Sequence, residues 1–325
     1  MHLKQCVIRA ALGLGLSVAG LSTALAQTFP AKPISIIVTV AAGGAADISL
    51  RMISQKVGDV LKQPLVIENR PGGNGVVAAV AVKQAAPDGY TLMMGHLSLA
   101  LSSYLIANVP FDAVKDFKPV TTINLVTPFL TVPASSPARN VAELVALAKS
   151  RPKGLFYAHP GSGSASHLLP EKLRMATGIQ LTPVIYKGAS NLVADLVEGR
   201  SDLYFGSINV VLPQVDAGKL RILAVGSTQR WEQLPQIPTM AEAGFPGNEL
   251  EFWFGLVAPA GTPDPVVRTL QQAFARVLAE PEIKLAYAKQ GWRTGGITPE
   301  QFQKLYLEDR ERWGQVIKEV GLKPE

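Results

Sequence analysis

Apolar runs of strand length alternate with helical patterns along most of the chain. The first clear run, PISIIVTV at 33–40, is continuous, as expected for a strand that is covered on both faces. After it, Leu50, Ile53, Val57 and Leu61 recur at intervals of three and four residues, which predicts an amphipathic helix packed against a sheet. This alternation predicts an α/β protein with mostly parallel sheets.

A proline-dotted region at 110–137 separates two series of such units. Its one apolar stretch, TTINLVTPFLTV at 121–132, is interpreted as a strand that crosses between two lobes. The apolar strand at 220–227 is the candidate for the return crossing, and three helical stretches follow later in the chain. These patterns predict a clamshell with lobe 1 at 27–125 plus 226–325 and lobe 2 at 126–225.

The first 26 residues have the pattern of a secretory signal. Lys4 and Arg9 precede an apolar run that ends at Ala24, and Ala24-Leu25-Ala26 supplies a small-x-small cleavage pattern. The apolar run is short and interrupted by glycine, which argues against a transmembrane anchor. We therefore expect cleavage after Ala26 and export to a bacterial periplasm.

The composition excludes several kinds of functional site from the exported chain. Cleavage would remove Cys6, the only cysteine, which excludes disulfides and cysteine metal sites. The rest of the chain has 29 basic and 25 acidic residues, a net charge of +4, and its scattered charges do not form the stripe that nucleic-acid binding requires. His96, His159 and His167 lack metal-ligand spacing, so we expect no metal and no cofactor.

Two strand-to-helix turns share one pattern. One covers Ala41–Asp47 after the strand at 33–40, and the other covers Gly161–Ser166 after the strand at 154–159. Both follow the carboxyl end of a predicted parallel strand, where open α/β sheets bind ligands. Unpaired N–H groups at a helix start attract anions, glycine allows close approach, and serine hydroxyls can add hydrogen bonds. The pattern predicts two backbone cradles for one carboxylate, although glycine and serine are also ordinary helix caps.

The sequence leaves the roles of two side chains at these turns open. The carboxylate of Asp47 either caps its own helix or meets an amino or hydroxyl group of a ligand, because it would repel an anion. His167, at the start of the second helix, is a candidate donor to an anion.

Catalytic fingerprints are incomplete. The stretch Gly161-Ser162-Gly163-Ser164-Ala165 departs from G-x-S-x-G at its last position, and AAGGAAD matches neither a dinucleotide-binding nor a P-loop pattern. We therefore expect that the protein is not an enzyme. A secreted α/β serine hydrolase that uses Ser162, Ser164 or Ser166 with His167 is the alternative from another functional class.

Eight separated motifs carry a family resemblance. In chain order they are KPISIIV…AGGAADI, VIENRPGGNG, AAPDGYTLMMG, FYAHPGSGSASHL, LVEGRSDLYF, AGKLRILAVGS, PTMAEAGFPG and WFGLVAPAGTP. Together they resemble the extracytoplasmic solute-binding receptors of tripartite tricarboxylate transporters, called the Bug family. The resemblance implies a two-lobed type II periplasmic-binding-protein fold with two crossing segments. It also implies closure on a small organic carboxylate and delivery to membrane transporter subunits.

The resemblance also implies the ligand contacts and leaves one functional alternative. The implied contacts are Ala42, Gly43, Gly44, Ala46 and Asp47 in lobe 1, and Ser162, Gly163, Ser164, Ser166 and His167 in lobe 2. Ser207 in lobe 2 is a further candidate contact. A sensory adaptor for a membrane kinase would use the same closed clamshell and stays possible from the sequence. In either role we expect a monomer.

The chain departs from the common family pattern in two places. Relatives often begin the first loop with Pro-Phe-Pro where this chain has Thr39-Val40-Ala41, and they often carry Asp-Asn where it has Gly206-Ser207. Loss of an aromatic ring and a carboxylate implies a wider and less acidic pocket. We therefore expect a bulkier ligand, a dicarboxylate or an aromatic carboxylate.

Overall fold

The structure is a computed structural model that describes residues 29–186, 189–322 and 324. The predicted signal segment, with its cleavage site and Cys6, lies outside the described residues, so cleavage after Ala26 stays a prediction. Within the described residues, no helix has both the length and the apolar character needed to cross a bilayer.

The described residues form eleven strands and eleven α-helices. The strands are β1 Ile34–Val38, β2 Leu65–Asn69, β3 Thr91–His96, β4 Phe117–Val126, β5 Pro128–Pro133, β6 Leu155–His159, β7 Leu181–Ile185, β8 Leu203–Ser207, β9 Leu220–Val225, β10 Phe252–Pro259 and β11 Trp292–Thr294. The helices are α1 Ala45–Leu61, α2 Val76–Lys83, α3 Leu97–Ala100, α4 Ser102–Leu105, α5 Val141–Ser150, α6 Ala165–Thr177, α7 Ala189–Val197, α8 Ile208–Asp216, α9 Asp264–Leu278, α10 Pro281–Lys289 and α11 Pro299–Glu319.

The strands form two sheets. The six-stranded sheet has the order β11-β4-β10-β3-β1-β2, and the five-stranded sheet has the order β7-β6-β8-β5-β9. Parallel pairs join β1 to β2 and β3, and β6 to β7 and β8. The other pairs, which involve β5, β10 or β11, are antiparallel.

The expectation of mostly parallel sheets is therefore wrong, because both sheets are mixed. The reason lies in the connections between the sheets. Strands β5 and β10 each follow a crossing, enter their sheet at the edge where β3 and β8 end, and run away from that edge. A strand that enters there must be antiparallel to neighbours that end there.

The stretch at 121–132 does cross between the sheets, as predicted. Strand β4 ends at Val126 in the six-stranded sheet, and β5 begins at Pro128 in the five-stranded sheet. The return lies later than expected, since β9 still belongs to the five-stranded sheet and the chain reaches the six-stranded sheet with β10. The exact lobe boundaries at 125/126 and 225/226 stay predictions.

Burial explains the continuous apolar pattern of β1. Ile36 packs in one core cluster with Leu50 and Ile53 of α1, whereas the next residue, Ile37, packs in a second cluster with Ala78 and Ala79 of α2. Successive side chains of a strand point to opposite faces, so helices cover both faces of this sheet. Burial of each such aliphatic side chain contributes about 1.5–3 kcal/mol, which anchors the strand and helix on either side of the first turn.

Sequence reasoning missed four short elements: α3, α4, α8 and β11. The helices α3 and α4 have four residues each and are too short for a periodic pattern, and α8 contains Pro213. Two of these elements, α3 and α8, begin at the edge where the sheets face one another.

Candidate functional site

A cavity of about 320 Å³ lies between the two sheets. It is located where β1, β3, β6 and β8 end and where β10 begins, the edge at which open α/β sheets bind ligands. Its wall consists of Thr39, Val40, Gly72, Asn74, Gly75, His96, Leu97, Pro160, Gly161, Ser162, Gly163, Ser164, Ala165, Ser166, Tyr204, Phe205, Ser207, Phe252 and Phe254.

The two predicted turns have the same backbone geometry. Gly43 and Gly163 have φ values of +81° and +75°, a conformation that glycine adopts with little strain. Each glycine precedes the N-cap residue of a long helix, Gly44 for α1 and Ser164 for α6. The N-cap amide donates to the carbonyl oxygen three residues earlier, at 3.1 Å in the first turn and 3.3 Å in the second.

A side chain four residues later holds each of these glycines. The Gly43 amide donates to Oδ2 of Asp47 at 2.9 Å, and the Gly163 amide donates to Nδ1 of His167 at 3.3 Å. Both glycine amides are therefore satisfied within the protein. Because Nδ1 of His167 accepts, the neutral ring carries its proton on Nε2, an assignment that follows from this hydrogen bond.

The carboxylate of Asp47 is engaged by three donors. Besides the Gly43 amide, Nε of Arg51 and Nδ2 of Asn69 each donate to Oδ1 at 2.9 Å, and the Asp47 side chain is 4% exposed. Burial alone would raise the pKa of Asp47, but the hydrogen bonds from Gly43, Asn69 and Arg51 outweigh it, so the pKa is lowered. These contacts support the interpretation that Asp47 braces its own helix start.

His167 is buried beneath the second turn rather than on the cavity wall. It is 3% exposed, and its ring stacks on His159 with centroids 4.4 Å apart. Burial, with a smaller effect of His159, lowers the pKa of His167 to about 4. The imidazole is therefore neutral at pH 7, and its role in the structure is to hold Gly163.

The predicted contact residues divide into two groups. Those on the cavity wall are Ser162, Gly163, Ser164, Ser166 and Ser207. Those not on the wall are Ala42, Gly43, Gly44, Ala46, Asp47 and His167. For both groups, contact with a ligand stays a prediction.

Sequence reasoning missed the other polar and aromatic wall residues. Asn74 follows β2, His96 ends β3, and Phe252 and Phe254 begin β10. They lie near β1 only because β2 and β3 pair with β1 and β10 pairs with β3. The glycine-rich stretch RPGGNG after β2 was the one signal in the sequence that could have drawn attention to Asn74.

The hydroxyl groups on the wall donate mainly to the protein itself. Ser164 donates to the carbonyl of Gly161 at 2.8 Å, Ser166 to the carbonyl of Phe205 at 2.6 Å, and Ser207 to Oδ1 of Asn209 at 2.7 Å. These hydroxyls still offer lone pairs to a ligand, but their protons are used. The expectation that the serine hydroxyls of the second turn donate to an anion therefore does not fit Ser164 and Ser166.

Main-chain amides at helix starts are further donors for an anion. Gly75, Ser164 and Ser207 are wall residues and are also the N-caps of α2, α6 and α8. The first N–H groups of a helix have no internal acceptor, and the helix dipole adds partial positive charge at that end. Three helices of eight or more residues thus begin at one cavity, two from the five-stranded sheet and one from the six-stranded sheet.

The cavity wall is electrically neutral. None of the described residues that form it is Asp, Glu, Lys or Arg. His96 lies on the wall, and burial lowers its pKa to about 4, so it is uncharged at pH 7. Nor do the described residues contain a cluster of three His, Cys, Asp or Glu side chains that could hold a metal ion.

A second cavity, of about 330 Å³, shares no wall residue with the first. Its wall includes Trp231, Lys284 and Trp292. No helix begins at this wall among the described residues, so it lacks the helix-start amides found at the first cavity. The first cavity is therefore the candidate ligand site.

Comparison with protein families and relatives gives one consistent result. A family model described as the tripartite tricarboxylate transporter family receptor matches residues 49–322. A protein from the tcbD-tcbE intergenic region of Pseudomonas sp. strain P51 is 33% identical over 332 residues and covers 99% of both chains. Protein BugT of Bordetella pertussis is 32% identical and covers 97% of both chains.

Several solved structures of periplasmic binding proteins have a fold similar to that of this chain. Rpa4515 of R. palustris with adipate has a TM-score of 0.83 and 34% identity over 91% of this chain and 100% of its own. MatC from Rhodopseudomonas palustris with bound malate has a TM-score of 0.77 and 31% identity over 89% and 100%. The periplasmic binding protein BugD has a TM-score of 0.79 and 29% identity over 91% and 100%. These likenesses confirm the predicted two-lobed α/β periplasmic-binding-protein fold.

Proposed function

This chain belongs to the tripartite tricarboxylate transporter receptor family, and from that premise we propose that it captures a small organic carboxylate between its lobes and delivers it to a tripartite tricarboxylate-type membrane transporter. The family consists of periplasmic solute-binding receptors and not of enzymes. The serine hydrolase alternative is therefore wrong.

The convergence of three helix starts on one neutral cavity is the observation that supports the proposal. Helices α2, α6 and α8 begin at the wall residues Gly75, Ser164 and Ser207, so their first helical amides, which lack intrahelical acceptors, lie beside a space of about 320 Å³. Such amides stabilise an anion without a charged side chain, because the donors are held in place before the ligand arrives. A carboxylate satisfies them, whereas a neutral or cationic ligand leaves them without a strong acceptor.

The solved relatives support the carboxylate class. Rpa4515 is described with adipate and MatC with malate, and both acids are small dicarboxylates. For this chain, a dicarboxylate or an aromatic carboxylate is the proposed ligand.

A thermal-unfolding screen of the purified receptor tests the proposal. Mono-, di- and tricarboxylates, aliphatic and aromatic, are added one at a time. A ligand at about one hundred times its dissociation constant should add about 2.7 kcal/mol to the free energy of unfolding, with no turnover of the acid. If no carboxylate of any class stabilised the protein, the proposed function would be wrong.

Uptake measurements separate the transporter from the sensory alternative. Cells that contain a tripartite transporter but lack their own receptor should accumulate the labelled acid only when this chain is supplied. Binding without restored uptake, together with ligand-dependent activation of a membrane kinase, would favour the sensory adaptor.

A further inference from the structure

The ring of Tyr204 covers Gly206. The two residues lie on one face of β8, since they are two positions apart in a strand. A Cβ atom built on Gly206 would lie 1.9 Å from Cε1 of Tyr204, far inside van der Waals contact. Gly206 is not among the glycines with positive φ, so the ring of Tyr204, rather than the backbone conformation, requires glycine at this position.

This arrangement directs the Tyr204 ring toward the cavity. Gly206 lies closer than Tyr204 to the carboxyl end of β8, which is the end that meets the cavity at Ser207. A ring that covers Gly206 therefore points along the strand to that end. Tyr204 is 6% exposed and forms part of the cavity wall.

Aromatic side chains of the other sheet also belong to the wall. Phe252 and Phe254, at the start of β10, both line the cavity, and their ring centroids lie 5.6 Å apart. His96 meets Phe254 edge-on, with centroids 5.9 Å apart. The cavity thus has aromatic surface from both lobes and unpaired amides where the helices begin.

Building on the proposed function, we propose that the ligand is an aromatic carboxylic acid whose ring lies between Tyr204 and the Phe252–Phe254 pair, with Tyr204 as the specificity-determining residue. A planar ring makes offset or edge contacts with the aromatic side chains that a puckered aliphatic ring of equal size does not make. The acid group of the ligand is oriented toward the amides at the helix starts, so the two ends of the ligand meet different parts of the wall.

Calorimetry with matched pairs of acids tests this inference on the full receptor. Benzoate is compared with cyclohexanecarboxylate, and terephthalate with trans-cyclohexane-1,4-dicarboxylate, so that each pair differs in the planarity of the ring and keeps its acid groups. We expect the aromatic member to bind about tenfold more tightly than its partner in the pair that binds. Equal or tighter binding of the aliphatic ring would overturn the inference.

Two variants assign the selectivity to Tyr204. Tyr204→Phe keeps the ring and should keep the tenfold ratio, whereas Tyr204→Leu removes the ring and should bring the ratio close to one. Gly206→Ala should lower the ratio as well, because its methyl group displaces the ring. If Gly206→Ala fails to fold, Tyr204→Leu still decides the test, since leucine is smaller than tyrosine and adds no atoms next to Gly206. An unchanged ratio in Tyr204→Leu contradicts the assignment.

The outcome also separates this inference from the proposed function. Binding of adipate in the absence of binding by either aromatic acid would overturn the inference and leave a carboxylate receptor. Absence of binding by these acids and by the wider carboxylate panel would overturn the proposed function itself.

Discussion

Asp47 and His167 hold equivalent places in the two turns. Each lies four residues after a glycine of positive φ and accepts the amide hydrogen of that glycine, at 2.9 Å for Asp47 and 3.3 Å for His167. One acceptor is a carboxylate with a lowered pKa, and the other is a buried neutral imidazole. The two turns therefore share a geometry but should respond differently to pH.

The stability of the receptor should fall as the pH drops from 6.5 toward 4. Burial lowers the pKa of His167 from 6.5 to about 4, so in that window the unfolded chain binds a proton that the folded chain excludes. The contribution of His167 to the free energy of unfolding is therefore fully present above pH 6.5. It is lost on acidification, by about 2–3 kcal/mol at pH 4.5. His96, with the same lowered pKa, contributes in the same direction. Urea unfolding at pH 7 and pH 4.5 measures the loss.

The variant His167→Asn measures how much of this pH-dependent loss of stability comes from His167 in the second turn. The side-chain oxygen of asparagine can take the place of Nδ1 as acceptor for Gly163, but it does not titrate. The loss of stability between pH 7 and pH 4.5 should therefore shrink by about 2–3 kcal/mol, and the contribution of His96 should remain. An equal loss in the variant and the natural protein would refute the role of His167.

Replacement of Asp47 by alanine should destabilise the receptor by about 2–4 kcal/mol at pH 7, because it leaves the donors of Gly43, Asn69 and Arg51 without their acceptor. Since the pKa of Asp47 is lowered, its contribution is present above the unfolded value of 3.8 and is lost as the pH falls through the folded value. Denaturant unfolding measures the change. Asp59→Ala, an exposed position on the same helix, is the control and should change stability by less than about 0.5 kcal/mol.

Gly163→Ala should weaken both folding and carboxylate binding. The added Cβ would lie 2.2 Å from Cδ1 of Leu105, and alanine is strained at a φ of +75°. We expect a loss of about 1–3 kcal/mol in stability and a displaced start of α6, which raises the dissociation constant. Unfolding and calorimetry on the same samples measure both effects. Gly161→Ala is the control for stability, since a Cβ there meets no atom within 4 Å. Equal unfolding free energies for the two variants would contradict the strain argument.

Asn74 should help to hold the lobes together around the ligand. Its Nδ2 donates to the carbonyl oxygen of Ser162 at 3.4 Å, a contact that spans the cavity, and its φ is +52°. Asn74→Gly keeps the backbone conformation accessible and removes the amide, so affinity should fall about two- to tenfold, as expected for one hydrogen bond. Calorimetry with the best carboxylate of the screen provides the measurement.

Asn108→Gly is the matched control for Asn74→Gly. Asn108 also has a positive φ, +53°, but it is exposed and does not line the cavity. The same chemical change at this position should leave affinity unaltered. If the two variants bound the carboxylate equally well, the contact across the cavity would have no part in binding.

The sequence predicted much of the local structure correctly. The continuous apolar run of β1 reflects burial of Ile36 and Ile37 on opposite faces, and the spacing of Leu50 and Ile53 places α1 against one of them. The positions of Gly43 and Gly163 also indicated both turns. Patterns of this kind report the environment of neighbouring residues along one element, which the residues of that element largely determine.

Most of the residues that form the cavity wall could not be predicted from sequence patterns. The wall brings together His96 and Phe254, which are opposite one another in the β3–β10 pair but far apart in the chain. The proton of Ser166 is donated to the carbonyl of Phe205, so the hydroxyl that suggested an anion donor is committed elsewhere. Such contacts depend on strand pairing over long sequence separations, and periodicity within one element carries no information about them.

The sequence by itself therefore determined the family, the α/β elements and the two glycine turns, because each follows from short motifs and from local patterns of burial. Only the tertiary structure decided that both sheets are mixed, that Asp47 and His167 serve their own turns, and that Tyr204 lies over Gly206 at a neutral cavity. These features arise where segments that are distant in the chain meet. There the pairing of strands determines which hydrogen-bond donors and aromatic rings line the cavity.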